Sequence, residues 1–152
     1  MQTYYITKKK LKELEEELES LKKQQKEEFL NDSPSVFEGD DINPDFAFYQ
    51  NSLEEINLRI EDLENILKNY IIIKAPKERD KIYLGANVVF KDNYSLEKEF
   101  KIVGTLEANP FDGKISNESP IGMALLGKKV GDVVFVGQNN NYKIIKINYE
   151  EV

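Results

Sequence analysis

The sequence predicts an α+β protein, in which an antiparallel hairpin of two α-helices is followed by a small domain built on an antiparallel β-sheet. Three observations lead to this prediction. Apolar residues repeat in heptads up to Tyr70, and β-branched and aromatic runs with a period near two begin at Asn87. Between them, Lys74–Asp80 is charged, contains proline and has no period. We therefore predict a helical arm at 1–75, a linker at 76–82 and a sheet domain at 83–152.

The two predicted helices have clear start and stop signals. The first covers about Lys8–Leu30 and ends before Pro34, which disfavours helix in the preceding residue. The second begins after Asn43, a good N-cap, with Pro44 at the first helical position. Its apolar residues are spaced alternately by three and four: Phe46, Tyr49, Leu53, Ile56, Ile60, Leu63, Leu67 and Tyr70. This is a coiled-coil seam, and the short connection predicts an antiparallel pair.

The second half has the composition of a small sheet domain. The predicted strands are Asn87–Lys91, Lys98–Val103, Val133–Val136 and Tyr142–Ile147, with a hairpin turn at Gln138–Asn141. A short helix lies between the second and third strands. Ser119 would cap it, Pro120 would open it and Gly127 would end it, while Leu125 and Leu126 would lie in the core.

Charge and composition exclude several classes of function. The chain has no cysteine and no histidine, which excludes thiol chemistry, imidazole catalysis and zinc sites built on those ligands. The net charge of −7 argues against simple wrapping of nucleic acid. Between Glu27 and Leu58 there are acidic residues but no lysine or arginine. This block is either a solvated face or a site that needs negative charge, such as one that meets a metal ion. Without a long apolar run or a signal-peptide pattern, we expect a cytoplasmic protein.

One continuous stretch resembles a known family. Residues 115–132 have the sequence ISNESPIGMALLGKKVGD. It resembles the signature of the bacterial Gre transcription elongation factors, in which I-S-x-x-S-P-[IL]-[GA]-x-A-L-[LI]-G-K is followed by x-x-G-D. The order of helical hairpin, linker and mixed domain agrees as well. The resemblance covers essentially the whole chain and is strongest after residue 84.

The resemblance implies a function in transcript cleavage. In this family an FKBP-like C-terminal domain docks on the rim coiled coil of the largest subunit of RNA polymerase. The coiled-coil arm enters the secondary channel, and acidic residues at its tip help the polymerase to hold a second Mg²⁺ that activates water. On this basis the protein is an accessory factor rather than an enzyme. We expect it to act as a monomer, to meet the 3′ end of the nascent RNA only indirectly and to have no contact with membranes. Glu118, Ser119, Pro120 and Ile121 match the docking loop of the family.

The acidic tip departs from the family pattern. Where cleavage-competent members resemble G-D-L-x-E-N-A-[DE]-Y, this chain has GDDINPDF at 39–46. The best alignment deletes one residue, so Asp40 keeps its place and the partner glutamate is lost. Asp41 could supply the second carboxylate on an irregular tip, which makes Asp40 and Asp41 the catalytic and metal-binding candidates. Otherwise the pair is broken, and the protein occupies the channel without stimulating cleavage. Asp45 is readily explained as a first-turn acid that complements the dipole of the second helix.

Three other expectations remain open. The tip is predicted to be a loop of about a dozen residues, in which Val36 and Phe37 either cap the coil or touch the channel wall. A prolyl isomerase or chaperone would need an aromatic-lined pocket, which the few, mostly strand-like aromatic residues of the second half disfavour. A coiled-coil adaptor would dimerise through the second helix instead.

Overall fold

The chain forms two units. The computed structural model describes residues 2–150. One unit combines the N-terminal residues through Lys8 with the chain from Tyr70 onward, and the other is Lys9–Asn69. Residues 1 and 152, the outer limits of the predicted domains, lie outside the described part. None of the helices in that part is long and apolar enough to cross a membrane.

Two antiparallel helices make up the helical unit. Helix α1 is Lys8–Leu30 and helix α2 is Pro44–Lys68. The side chain of Asn43 accepts a hydrogen bond from the amide of Asp45, which confirms the predicted cap. Ion pairs join the middle of α1 to the second half of α2. Arg59 binds both carboxylate oxygens of Glu17, at 2.7 and 3.1 Å, and Lys22 lies 2.6 Å from Glu64.

The buried stripe of α2 agrees only in part with the predicted seam. Ile56, Ile60 and Leu63 are buried as predicted. Ile66, which the heptad spacing omits, is also buried, and Tyr70 lies beyond the end of the helix. The predicted seam is therefore wrong in its last turn.

The tip between the helices is more ordered than predicted. Strand β2, Phe37–Glu38, pairs antiparallel with strand β3, Asp41–Ile42. Gly39 and Asp40 make the turn, with Gly39 at a φ of 65°. Glycine adopts this left-handed conformation without the steric cost that a side chain would add. The irregular loop expected here is thus a small β-hairpin.

The other unit is built on a five-stranded sheet. Its strands are β5 (Ala86–Lys91), β6 (Glu97–Val103), β7 (Lys114–Ser116), β8 (Val133–Val136) and β9 (Asn140–Tyr149), in the order β7-β6-β5-β9-β8. All neighbours pair antiparallel except β6 and β7, which are parallel, so the predicted purely antiparallel sheet is corrected. The turn between β8 and β9 is 137–139 rather than Gln138–Asn141, because Asn140 already pairs with Val136.

The core of the sheet unit lies on one face of the sheet. Phe90, Ile102, Leu125 and Ile144 are among its buried residues, whereas Leu126 is only partly buried. Helix α3, Pro120–Leu125, packs on this core and is capped by Ser119, as predicted. Ile82, which was assigned to the linker, is fully buried. Its amide donates to Lys128 and its carbonyl accepts from Gly127.

The N-terminal residues belong to the sheet unit, not to the arm. Strand β1, Tyr4–Ile6, pairs in parallel with strand β4, Tyr70–Ile72. Ile6 is fully buried, and its carbonyl accepts a hydrogen bond from the amide of Ile73. The two compact units therefore differ from the predicted boundary at residue 75, since 2–8 and 70–75 group with the sheet. No periodic pattern marks strands this short, which explains why the sequence does not reveal them.

Candidate functional site

The predicted docking loop is held by its own side chains. The hydroxyl of Ser119 donates to the carbonyl of Ser116 at 2.7 Å and accepts from the amide of Gly122 at 3.1 Å. A Cβ at Gly122 would lie 2.0 Å from that same carbonyl oxygen, so no other residue fits there without movement. Pro120 and Glu118 are exposed, and Ile121 is half-buried. The loop therefore presents a proline and a carboxylate on a rigid turn.

Glu118 is fixed by residues outside the loop's signature. Its carboxylate oxygen Oε2 accepts from the hydroxyl of Thr105 at 2.7 Å, and its amide donates to the hydroxyl of Ser116 at 3.1 Å. The two hydroxyls lie 3.1 Å apart. Sequence reasoning missed Thr105, since it stands apart from the matched stretch and only the pairing of β6 with β7 brings it near.

A cavity of about 340 Å³ lies beside the docking loop. Its walls are mostly apolar and contain three aromatic rings: Phe90, Phe100 and Tyr142. Phe90 stacks on Phe100 at 5.5 Å and meets Tyr142 edge-on at 4.8 Å, between ring centroids. The sequence disfavours an aromatic-lined pocket, but strand pairing places all three rings on the same face of the sheet. Ser119 and Ile121 of the loop form part of the lining.

The acidic tip presents carboxylates on one face of its hairpin. Glu38 lies directly opposite Asp41, and residues paired in this way point to the same side. Asp40 sits in the turn next to them, and all three residues are exposed. The sequence analysis missed Glu38, although a two-residue turn at Gly39 and Asp40 would have placed it opposite Asp41.

The other face of the hairpin is apolar and exposed. Phe37 lies opposite Ile42, and their exposed fractions are 61% and 68%. Val36 is 44% exposed. Val36 and Phe37 thus keep a large exposed area, and both alternatives for them stay predictions.

The tip carboxylates are oxygen donors, the ligand type that Mg²⁺ prefers. Among residues 2–150, no group of three or more acidic side chains is arranged to hold a metal ion. Mg²⁺ prefers oxygen ligands and is usually bound through only one or two protein carboxylates, with water and phosphate completing its shell.

The comparison with family models decides the family. Residues 58–149 match the model described as "Transcription elongation factor, GreA/GreB, C-term". The chain belongs to the GreA/GreB family. The match includes the docking loop, the cavity and the sheet core, and it extends into α2.

Curated relatives agree over nearly the full length. The transcription elongation factor GreA of Clostridium acetobutylicum is 40% identical over 151 residues, covering 95% of this chain and 96% of that protein. GreA of Geobacillus kaustophilus is 37% identical, covering 95% and 94%. A solved structure of the transcription factor Gfh1 is 27% identical, covers 96% and 97%, and has a TM-score of 0.43.

Proposed function

We propose that this protein binds bacterial RNA polymerase, inserts the tip of its helical arm into the secondary channel and stimulates cleavage of backtracked RNA by the polymerase active site. It acts as an accessory factor in the cytoplasm, as a monomer. Membership of the GreA/GreB family supports the role in elongation. The observation that carries the rest of the proposal is the exposed acidic hairpin, since a carboxylate pair at the end of a helix pair can reach a recessed site.

The helical unit serves as a coiled-coil arm. The heptad spacing of α2 and the cross-helix pairs Arg59–Glu17 and Lys22–Glu64 support a coiled coil. A helix of 25 residues rises roughly 40 Å at 1.5 Å per residue. An arm of this length presents its tip well away from the helix ends near residues 8 and 69.

The sheet unit has an FKBP-like fold and docks on the polymerase. The exposed Pro120 and the carboxylate of Glu118 stand on the rigid loop, next to the aromatic cavity. Such a surface suits a partner that offers an apolar side chain for the cavity and a basic group for Glu118. On the polymerase, the rim coiled coil of the largest subunit is the proposed partner.

The tip carboxylates act at the polymerase's own catalytic centre. Asp40 and Asp41 would provide oxygen ligands to a second Mg²⁺, and Glu38 lies close enough along the hairpin to replace one of them. The chemistry this ion supplies is activation of water and neutralisation of charge at the scissile phosphate.

A second candidate function is occupation of the channel without cleavage. The missing glutamate of the family's acidic pair favours it. Both candidates share the docking step and differ only at the tip.

Cleavage of RNA in a stalled complex tests the proposal. A backtracked elongation complex with the cognate polymerase, end-labelled RNA and Mg²⁺ is mixed with the protein, and RNA shortening is followed in time. We expect faster shortening, and a loss of at least tenfold in rate with Asp40→Asn or Asp41→Asn. Glu54→Gln, an exposed acid within α2, is the matched control and should leave the rate unchanged.

The outcomes separate the two candidates. Binding without faster cleavage would leave the channel-occupying function. In that case Pro120→Ala should still weaken binding, because Pro120 belongs to the docking loop. A wild-type protein that does not bind polymerase would refute both.

A further inference from the structure

Thr105 lies next to the docking loop without being part of it. It follows β6 by two residues and begins a single 3₁₀ turn, Thr105–Glu107. Its hydroxyl reaches both Glu118 and Ser116, at 2.7 and 3.1 Å. The residue is exposed, so these bonds are not a consequence of burial in the core.

The three bonds between Thr105, Ser116 and Glu118 form a ring with one consistent direction. A hydroxyl has one hydrogen to donate and two lone pairs that accept. Because Thr105 donates its hydrogen to the carboxylate of Glu118, Ser116 must donate to Thr105. The oxygen of Ser116 then accepts from the amide of Glu118 at 3.1 Å, which closes the ring. Each bond polarises the next, so the ring is stronger than three separate bonds.

The backbone that carries Thr105 is anchored on both sides. Gly104 lies against strand β1, and a Cβ at this position would be 1.8 Å from the carbonyl oxygen of Tyr5. On the other side, the Oε1 oxygen of Glu107 accepts from the amide of Thr7 at 2.7 Å and from its hydroxyl at 2.9 Å. The backbone of Thr105 is therefore held in place, and its hydroxyl can orient Glu118.

We propose that Thr105 is a positioning residue for polymerase docking. It holds the Glu118 carboxylate so that the oxygen Oε1, which no described residue binds, meets a lysine or arginine side chain of the polymerase. An exposed glutamate normally loses rotamer freedom when it forms an ion pair at an interface. The ring of hydrogen bonds restricts the Glu118 side chain before binding, so less entropy is lost on binding and the affinity for the polymerase is higher. This inference rests on the proposed function, since it names how the docking loop recognises its partner.

Four single variants and one double variant, Thr105→Val with Glu118→Gln, separate positioning from a merely structural role. Thr105→Val removes the hydroxyl but keeps the branched shape of the side chain, and Thr105→Ala removes both. Thr105→Ser keeps the hydroxyl, and Glu118→Gln removes the charge. Affinity for core RNA polymerase is measured by titration with the fluorescently labelled full-length protein, at low and at moderate salt. Thermal unfolding of each variant shows whether it is folded at the temperature of the titration.

The expected pattern is specific to an effect through Glu118. Thr105→Val and Thr105→Ala should weaken binding roughly three- to tenfold, which is about the net contribution of a single ordinary hydrogen bond. Thr105→Ser should bind like the wild type. The double variant Thr105→Val/Glu118→Gln should bind no more weakly than Glu118→Gln alone. The affinity of the double variant should also depend less on salt concentration than that of the wild type.

Two results would overturn the inference. Additive losses in the double variant would mean that Thr105 acts independently of Glu118, and a serine variant as weak as valine would mean that the hydroxyl is not what matters. If the wild-type protein fails to bind polymerase, the proposed function fails first and the inference falls with it. If it binds and only the Thr105 pattern is wrong, the proposed function stands.

Discussion

Replacing Gly104 with alanine should release the N-terminal strand from the sheet unit. The added Cβ would lie 1.8 Å from the carbonyl oxygen and 2.8 Å from the carbonyl carbon of Tyr5. Both are backbone atoms, so no side chain can rotate to make room. Strand β1 must therefore shift or detach.

The cost of detachment follows from what β1 contributes. Removing the fully buried Ile6 from the interior costs about 2–3 kcal/mol. Three hydrogen bonds are lost as well: the one from the amide of Ile73 to Ile6, and those from the amide and the hydroxyl of Thr7 to Glu107. Each contributes about 1 kcal/mol. Freeing three strand residues returns about 1–1.5 kcal/mol of chain entropy each. The net destabilisation expected for Gly104→Ala is about 2 kcal/mol.

Hydrogen exchange at the amide of Ile73 reports this change directly, because its acceptor is the carbonyl of Ile6. We expect roughly thirtyfold less protection in Gly104→Ala, which corresponds to about 2 kcal/mol. Gly127→Ala is the matched control: its φ of 77° strains any side chain, but a Cβ there meets nothing within 4 Å. Unchanged protection of Ile73 in Gly104→Ala, or an equal loss in Gly127→Ala, would refute the reasoning.

Three further predictions concern the two units separately. Asn43→Ala should destabilise the helical unit by about 1 kcal/mol through loss of the cap of α2, measured by urea unfolding followed by circular dichroism. Phe90→Leu should cost about 1 kcal/mol beyond any change in buried area, since it removes two aromatic contacts, and near-ultraviolet circular dichroism should change with it. The hydrogen bond from Arg59 lowers the pKa of Glu17 below 4.5, so this pair stabilises the helices above that pH and the contribution disappears as pH falls through the lowered value. Urea unfolding should show that the free energy of unfolding of the wild type decreases between pH 7 and pH 3. In Arg59→Ala this decrease should be smaller by about 0.5 kcal/mol, because the ion pair is exposed.

The features that follow from local chemistry could be predicted from the sequence. Asn43 with Pro44, and Ser119 with Pro120, start helices where expected because a cap and a proline act on their immediate neighbours. Heptad spacing likewise located α2, until its last turn. The docking role of Glu118–Ile121 stays a prediction, and it rests on the family resemblance of the eighteen-residue stretch at 115–132.

The features that depend on distant pairing could not be predicted. Strand β1 has only three residues, and its partner β4 follows a whole helical hairpin later. The aromatic cavity depends on register: Val88 pairs with Phe100 and Phe90 with Ile144, which determines which rings share a face. The tip hairpin is different, because a glycine turn flanked by alternating apolar and acidic residues was visible in the sequence and was overlooked.

The parallel pairing of β1 with β4 makes the sheet unit discontinuous, and this has a consequence for how the chain matures on the ribosome. Tyr4–Ile6 is synthesised early, yet its partner strand and the backbone at Gly104 come much later. Until then, Ile6 cannot pair with Ile72 or accept the hydrogen bond from Ile73. The two helices between β1 and β4, of 23 and 25 residues, bring the end of β1 back to the start of β4. This reduces the entropy cost of closing the long connection between the two strands. The helical hairpin can form first, and docking of the N-terminal strand is then a late step that completes the domain.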